Sequence, residues 1–347
     1  TYTLYIWLRY VEDPTINLAS LLGTSIDGYV SVNGSDTKES TSCKFDNSKK
    51  INYVVTFMNT DNKTVLETRK VSSGTALGNL PSTRQYFTKT GGNGTEYTST
   101  STITDDALVY PKLTKFELDS WTTIATNVRN GNTGDYNVGD TKEVNLGTTY
   151  GTHTLRIANT TTPSECSTSG FSQTACGFVL EFADIITTYE MNDTDTNVGG
   201  WPASSMYDFV NYDIYNSLPS DLKSTIIDTT VISSHGSTNG ENFTSIDKLY
   251  LLSLKEVYSD WSTNSYSSYD SAKDLTRTLD YYINKNVTSS DDSETIKKYK
   301  TTDSWWWLRE AHSNYDHSFF IVPTDDYSYL SAYANTSGGV SPAFRIG

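Results

Sequence analysis

The chain has 347 residues and a net charge of −15; only 19% of its residues are charged, while Tyr (25) and Trp (7) are plentiful. An exterior this acidic repels phosphate backbones and argues against a nucleic-acid partner. No run of about 18 apolar residues is present to cross a membrane as a helix, and the length suits two or three domains of roughly 100–200 residues each.

The chain opens without an initiating Met or a signal peptide, which implies a removed leader or a cut chain. Residues 2–10, YTLYIWLRY, alternate aromatic and aliphatic side chains. Tyr2, Leu4, Ile6 and Leu8 fall on one face, Tyr5 and Trp7 on the other. A strand this apolar is expected either to pair within its own chain or to complete a neighbour's sheet by β-strand addition. Ser25 to Asp36 alternates again and ends in an Asn-Gly turn. Residues 1–48 therefore form an N-terminal β segment and candidate inter-subunit strand.

In residues 49–113, Tyr53, Val55 and Phe57 alternate in one strand, "NTDNK" turns, and Val65, Glu67 and Arg69 belong to the returning strand. "GTALGNLP" predicts a helical turn stopped by Pro81, and "ITDDALVY" a last short strand. The blocks "VTF", "TVLETRKVSSGTALGNLP", "TGG" and "ITDDALVY" resemble the Listeria–Bacteroides type repeat, a small β-grasp module strung along bacterial surface proteins. The Gly-Trp usual after its aromatic is replaced here by "YFTKTGG". The resemblance implies a spacer or stalk unit.

From Thr114 the pattern changes. Trp121, Ile124, Ala125 and Val128 share one helical face, capped by Asp119 or Ser120 and ended by Gly131. "YNVGDTKEVNLG" and "GTHTLRIAN" read as strands, and "GFVLEFADIITTYEMN" as one bulkier apolar strand. Ser204 or Ser205 caps a helix carrying Met206, Phe209, Val210 and Ile214; Pro219 opens another with Leu222, Ile226 and Ile227. "NSYSSYDSAKDLTRTLDYYINK" predicts a further Ser-capped helix, followed by closing strands "SFFIVP", "YSYLSAYAN" and "GGVSPAFRIG". Cys166 and Cys176 bracket a polar loop and would form a short-loop disulfide in an exported chain, the alternative being two free thiols; Cys43 then has no partner.

The ordered blocks "SWTTIATNVRNG", "VGDTKEVNLG", "HTLRIAN", "GFVLEFADIITTYEMN", "GGWPASSMYDFVN", "LPSDLKSTIIDTTV", "SIDKLYLLSLKEVY", "WWLRE" and "GGVSPAFRIG" resemble an uncharacterised domain family common in exported proteins of gut Firmicutes. The resemblance covers about residues 114–347 and extends to C-type-lectin-like folds, which also place a Trp-rich strand and a closing strand around a two-helix core. The expected fold class is thus β-rich and multidomain: N-terminal strands (1–48), a β-grasp-like module (49–113) and a larger α+β domain (114–347).

The stretch DSWWWLREAHSNYDHSFF, Asp303 to Phe320, holds the densest chemistry. In a strand, Trp305 and Trp307 share one face and Trp306 takes the other. Trp307 and Arg309 read as packing, with Arg309 bridging to an acid or a carbonyl. Trp305 and Trp306 are candidates for an exposed platform on which a sugar ring stacks. His312 and His317 have metal-ligand spacing only on a helix, and the intervening "SNYD" is turn-forming. "NDTDTNVGG", from Asn192, lacks the Gly and Glu of an EF-hand loop. No nucleophile elbow, phosphate loop or dinucleotide fingerprint appears, so neither a cofactor nor catalysis is expected. The function expected is that of an extracellular structural protein of the bacterial cell surface. It would be a filament, pilus-type or stalk subunit with an adhesive role, its partners copies of itself or a neighbouring surface subunit. The alternative is a monomeric module recognising glycan or host protein through C-terminal aromatic loops.

Overall fold

The computed structural model describes residues 52–238, 240–291, 293–324 and 330–347. The N-terminal strand with Tyr2, Leu4, Tyr5, Ile6, Trp7 and Leu8, the Asn-Gly hairpin and Cys43 lie outside the described residues. The chain is β-rich and multidomain, with two compact units divided between Lys112 and Leu113.

Among its described residues, the first unit is one mixed sheet of five strands: β1 (Asn52–Met58), β2 (Val65–Ser72), β3 (Tyr86–Lys89), β4 (Asn93–Tyr97) and β5 (Ala107–Pro111). The order is β2-β1-β5-β3-β4, with β1 and β5 parallel at the centre. Alternation delivers Val55 and Phe57 to a small core with Val71, Leu77, Tyr86, Ile103 and Val109. The helical turn expected at "GTALGNLP" does not form. Gly74 and Gly78 stand at φ +75° and +79°, a region that ends helices. The segment is extended instead: Leu77 N–H donates to Ser101 O and Gly78 N–H to Ser99 O. Arg69 holds it in place, donating to Leu77 O and Asn79 O.

The second unit begins with two helices, α1 (Lys115–Leu118) and α2 (Trp121–Arg129). Ser120 caps α2 by accepting from Thr123 N–H at 3.1 Å, and Trp121, Ile124 and Ala125 are its buried face, as the spacing predicts. The strands β6 (Thr141–Asn145), β7 (Thr152–Asn159) and β8 (Val179–Phe182) then form a meander. The apolar run read as one strand is in fact two. After β8 the chain leaves this sheet at Ala183–Ile186 and enters another as β9 (Thr187–Tyr189).

A ribbon of β10 (Thr229–Ser233) and β11 (Phe243–Asp247) follows, then a second of β12 (Lys297–Tyr299) and β13 (Thr302–Ser304). The closing strands are β14 (Trp306–Ala311), β15 (Ser318–Val322), β16 (Ser331–Tyr333), β17 (Gly338–Val340) and β18 (Ala343–Arg345). Two sheets result, β16-β15-β14-β17-β9 and β18-β8-β7-β6. β17 pairs with β9 and β18 with β8, so the closing strands cross between sheets beside the earlier pair.

The helix expected over "NSYSSYDSAKDLTRTLDYYINK" is broken into a 3-10 turn, Ser265–Tyr269, and one short helix, Asp280–Asn284. Its polar side chains take other partners: Asp270 accepts from Ala272 N–H and Trp261 Nε1, Thr276 donates to Glu256, and Thr278 to Lys255 O. Such bonds compete with a helix backbone. The helical run 205–217 does form. Ser204 caps it, Met206, Val210 and Ile214 are buried, and a π-helical stretch, Phe209–Ile214, lies inside it.

Trp305, half-buried before β14, lies edge-on to Trp307 with ring centroids 5.0 Å apart and rests over Gly338. A Cβ at Gly338 would collide with the Trp305 ring and lie 2.7 Å from Trp307 Nε1. Gly338→Ala should therefore lower stability by about 1–3 kcal/mol through overpacking, measured by denaturant unfolding, with a shift in tryptophan fluorescence as Trp305 is displaced.

Candidate functional site

The tryptophan stretch is mostly interior. All six residues of β14 are buried because its sheet is covered on both faces. Trp307 packs in the core and donates from Nε1 to Tyr189 O, as a packing residue should. Trp306 does not serve as a platform for sugar. It is fully buried, donates from Nε1 to Thr295 O, and carries the Lys297 ammonium 4.3 Å above its ring. Lys297 in turn bonds Glu181 Oε2 (2.8 Å), Phe182 O and Ser341 Oγ at the crossing between sheets. Glu181 also receives Arg156 and the Tyr282 hydroxyl. Burial opposes its charge, yet the two cations outweigh burial and hold its carboxyl down at about 2.

Arg309, expected to meet an acid or a carbonyl, meets both. Its Nη1 and Nη2 pair with Glu256 Oε2 and Oε1 at 2.7 and 2.6 Å, a bidentate pair in which neither side chain is exposed. Nη1 also donates to Leu251 O and Nε to Ile232 O. Glu256 caps its own helix, Leu254–Val257, through Ser253, and accepts from Thr174 and Thr276 hydroxyls. One guanidinium thus joins β14, β10, the 251–252 segment and a helix N-terminus.

Beside it are two further buried acids. Glu310 Oε2 accepts Ser234 N–H at 2.6 Å. Burial, then the charge of Asp270, pushes its carboxyl up to about 8. Asp270 is likewise raised by burial. Raised carboxyls are a mark of catalytic acids; Glu256, Glu310 and Asp270 are buried, at 0%, 0% and 2% exposure. An open cleft of about 530 Å³ lies among Glu165, Lys255, Asp274, Arg277, Phe171 and Ile283. The three carboxyls and Arg309 are joined in the network that organises this core.

The surface feature above this core is a column of rings, which sequence spacing alone does not disclose. His312 and His317 come together through stacking. His312 stacks between Tyr269 (4.9 Å) and Tyr315 (4.7 Å), Tyr315 stacks on His317 (5.9 Å), and His317 meets Tyr333 (5.0 Å). Below, His312 contacts Phe320, which abuts buried Trp261. The column runs from the interior to Tyr315 and Tyr333, which are 49% and 57% exposed. His312 accepts Asn314 N–H at Nδ1, and burial keeps its imidazole neutral, down at about 4.

The turn carrying Tyr315 is fixed by Asn197. Its Nδ2 donates to Tyr315 O (2.8 Å), His312 O and Ser318 O, and its N–H to Asp316 O. The "NDTDTNVGG" loop, which lacks the Gly and Glu of an EF-hand, acts as a clamp, with Asn192 bonding Thr196 O and Ser205 N–H. Among the described residues, no group of three or more His, Cys, Asp and Glu is arranged to hold a metal. Cys166 and Cys176 are joined as a disulfide.

Residues 178–347 match the family model described as a domain of unknown function, DUF6273. The match begins at β8 and takes in the Arg309–Glu256 pair, both crossing strands and the ring column, while α1, α2, β6 and β7 precede it. No curated protein and no solved structure matches the chain.

Removing one partner of a buried bidentate pair leaves the other charge stranded. Glu256→Gln should cost roughly 3–5 kcal/mol, seen as a lowered denaturation midpoint, whereas Asp303→Asn on the exposed ribbon should leave the midpoint in place.

Proposed function

We propose that the chain is a non-catalytic extracellular protein of the bacterial cell surface whose C-terminal unit is an adhesive module. The ligand is a glycan, held at the outer end of the ring column. The observation that carries this reading is the exposure of Tyr315 and Tyr333 on a column anchored in the core, its turn clamped by Asn197. Aromatic rings of this kind offer an apolar face to sugar C–H groups and hydroxyls to sugar oxygens. Their rigidity lowers the ordering cost of binding. The net charge of −15 favours neutral over anionic sugars. The Cys166–Cys176 disulfide accords with an exported protein, and the β-rich first unit suits a spacer.

Assembly into filaments or stalks enters on sequence alone. Residues 2–10 would add as a strand to a neighbouring subunit's sheet, satisfying backbone groups and burying their aromatics there.

Tyr315→Ala combined with Tyr333→Ala should weaken binding to neutral glycans roughly 10- to 100-fold, the worth of two stacking contacts. A glycan array followed by titration calorimetry measures it. Unchanged binding would remove the column from the function, and a collapse in melting temperature would mark these rings as structural. Deleting residues 1–12 should abolish polymers seen by electron microscopy while leaving the C-terminal unit folded; equal assembly of the truncated and intact proteins would sink strand addition.

A further inference from the structure

We infer that Glu310 is carried as the neutral carboxylic acid at neutral pH, so that the centre of the C-terminal unit stores one proton and releases it as the surroundings turn alkaline. The geometry carries this through a charge count. Three carboxyls, Glu256, Glu310 and Asp270, share a buried centre with one guanidinium, Arg309. Arg309 is committed to Glu256 by two short bonds. Asp270 has a donor on each oxygen: Trp261 Nε1 on Oδ2 (2.9 Å) and Ala272 N–H on Oδ1 (3.0 Å). Glu310 has one donor, Ser234 N–H, on Oε2. Its Oε1 is 3.2 Å from Arg309 Nε but receives no hydrogen bond, since that N–H serves Ile232 O. With every group ionised, three carboxylates would be set against Arg309, with Lys273 acting on Asp270 from beyond the centre, and burial strongly disfavours the excess negative charge left beside Glu310. Glu310 is the least supported of the three and takes the proton. The groups facing it are Asp270 from the turn after Tyr269, Arg309 on its own strand, Glu256 from the short helix and the Ser234 amide. Burial and the Asp270 charge push its carboxyl up, against the smaller opposing pull of Arg309.

The proton bears on a particular part of the unit. Ser234, whose amide Glu310 accepts, also donates from Oγ to Ala311 O, one residue before His312. Gly236 packs against Ala311 and Asn197, the residue that clamps the ring-column turn. On ionisation the Glu310 O–H bond breaks, the proton passes to bulk water and the carboxylate remains beneath this loop.

The sign follows from linkage. An acid whose folded pKa lies above its unfolded value keeps extra protons on the folded state between the two, so stability falls as pH rises through that window. His153, where burial is outweighed by the Asp184 carboxylate and the Tyr150 carbonyl so that its imidazole is raised, pulls in the same direction, so the readout is a difference between proteins. Denaturant unfolding of the full chain and of Glu310→Gln should be compared from pH 6 to 8. The wild-type folding equilibrium should lose close to tenfold more per pH unit than the variant, the slope of one proton. Parallel pH profiles would overturn the inference. Should the variant fail to fold, carbon-13 carboxyl spectra of glutamate-labelled wild type decide it. One glutamate protonated at pH 7 is expected, and all glutamates ionised at that pH would refute it.

Discussion

The bidentate contact between Arg309 and Glu256 is the constraint around which the C-terminal unit is arranged. A guanidinium with no exposure must satisfy its donors from within, and each donor here fixes a different piece of chain. Satisfying Glu256 then requires Thr174, Thr276 and the Ser253 amide to converge on it. Such a network is an expensive way to gain stability, since well-packed apolar side chains do as well. Its return is register: β14 cannot slide against β10 or the 251–252 segment without stranding a charge. The state of Glu310 follows from the same choice, because Arg309, whose Nε lies 3.2 Å from it, spends its hydrogen bonds on Glu256, Leu251 O and Ile232 O.

Much of the fold was legible from residue order. The alternation of Val55 and Phe57, the Ser-capped face of α2 and the burial of Trp307 rest on local periodicity, which the structure keeps. Errors arose where side chains answered to distant partners. "GTALGNLP" has helix formers, but its backbone donors go to residues 99–101. "GFVLEFADIITTYEMN" looks continuous because buried Ile185 and Ile186 carry the apolar run of β8 up to β9, and the pairing of β8 with β18 and β9 with β17 reveals the break. Trp306 looked available because neither Lys297 nor Glu181 is near it in sequence.

The candidate site was legible in pieces. The rings of His312, Tyr315 and His317 are plain in the sequence, as is the turn that carries them. What linear reading lacks is Tyr269, Tyr333 and the Asn197 clamp, brought in from three other stretches. The two histidines are linked through the ring of Tyr315, which stacks on both.

The paired crossings between the two sheets carry a consequence for how the unit is made. Ala343 pairs with Glu181 and Val340 with Thr187, partners lying more than half the unit's length upstream. Neither sheet is complete while the ribosome has yet to deliver these last strands. The nascent chain must keep these edges of β8 and β9 unpaired, and sticky, while the residues up to β17 and β18 are made. Zipping both sheets together in one late step would shorten that exposure.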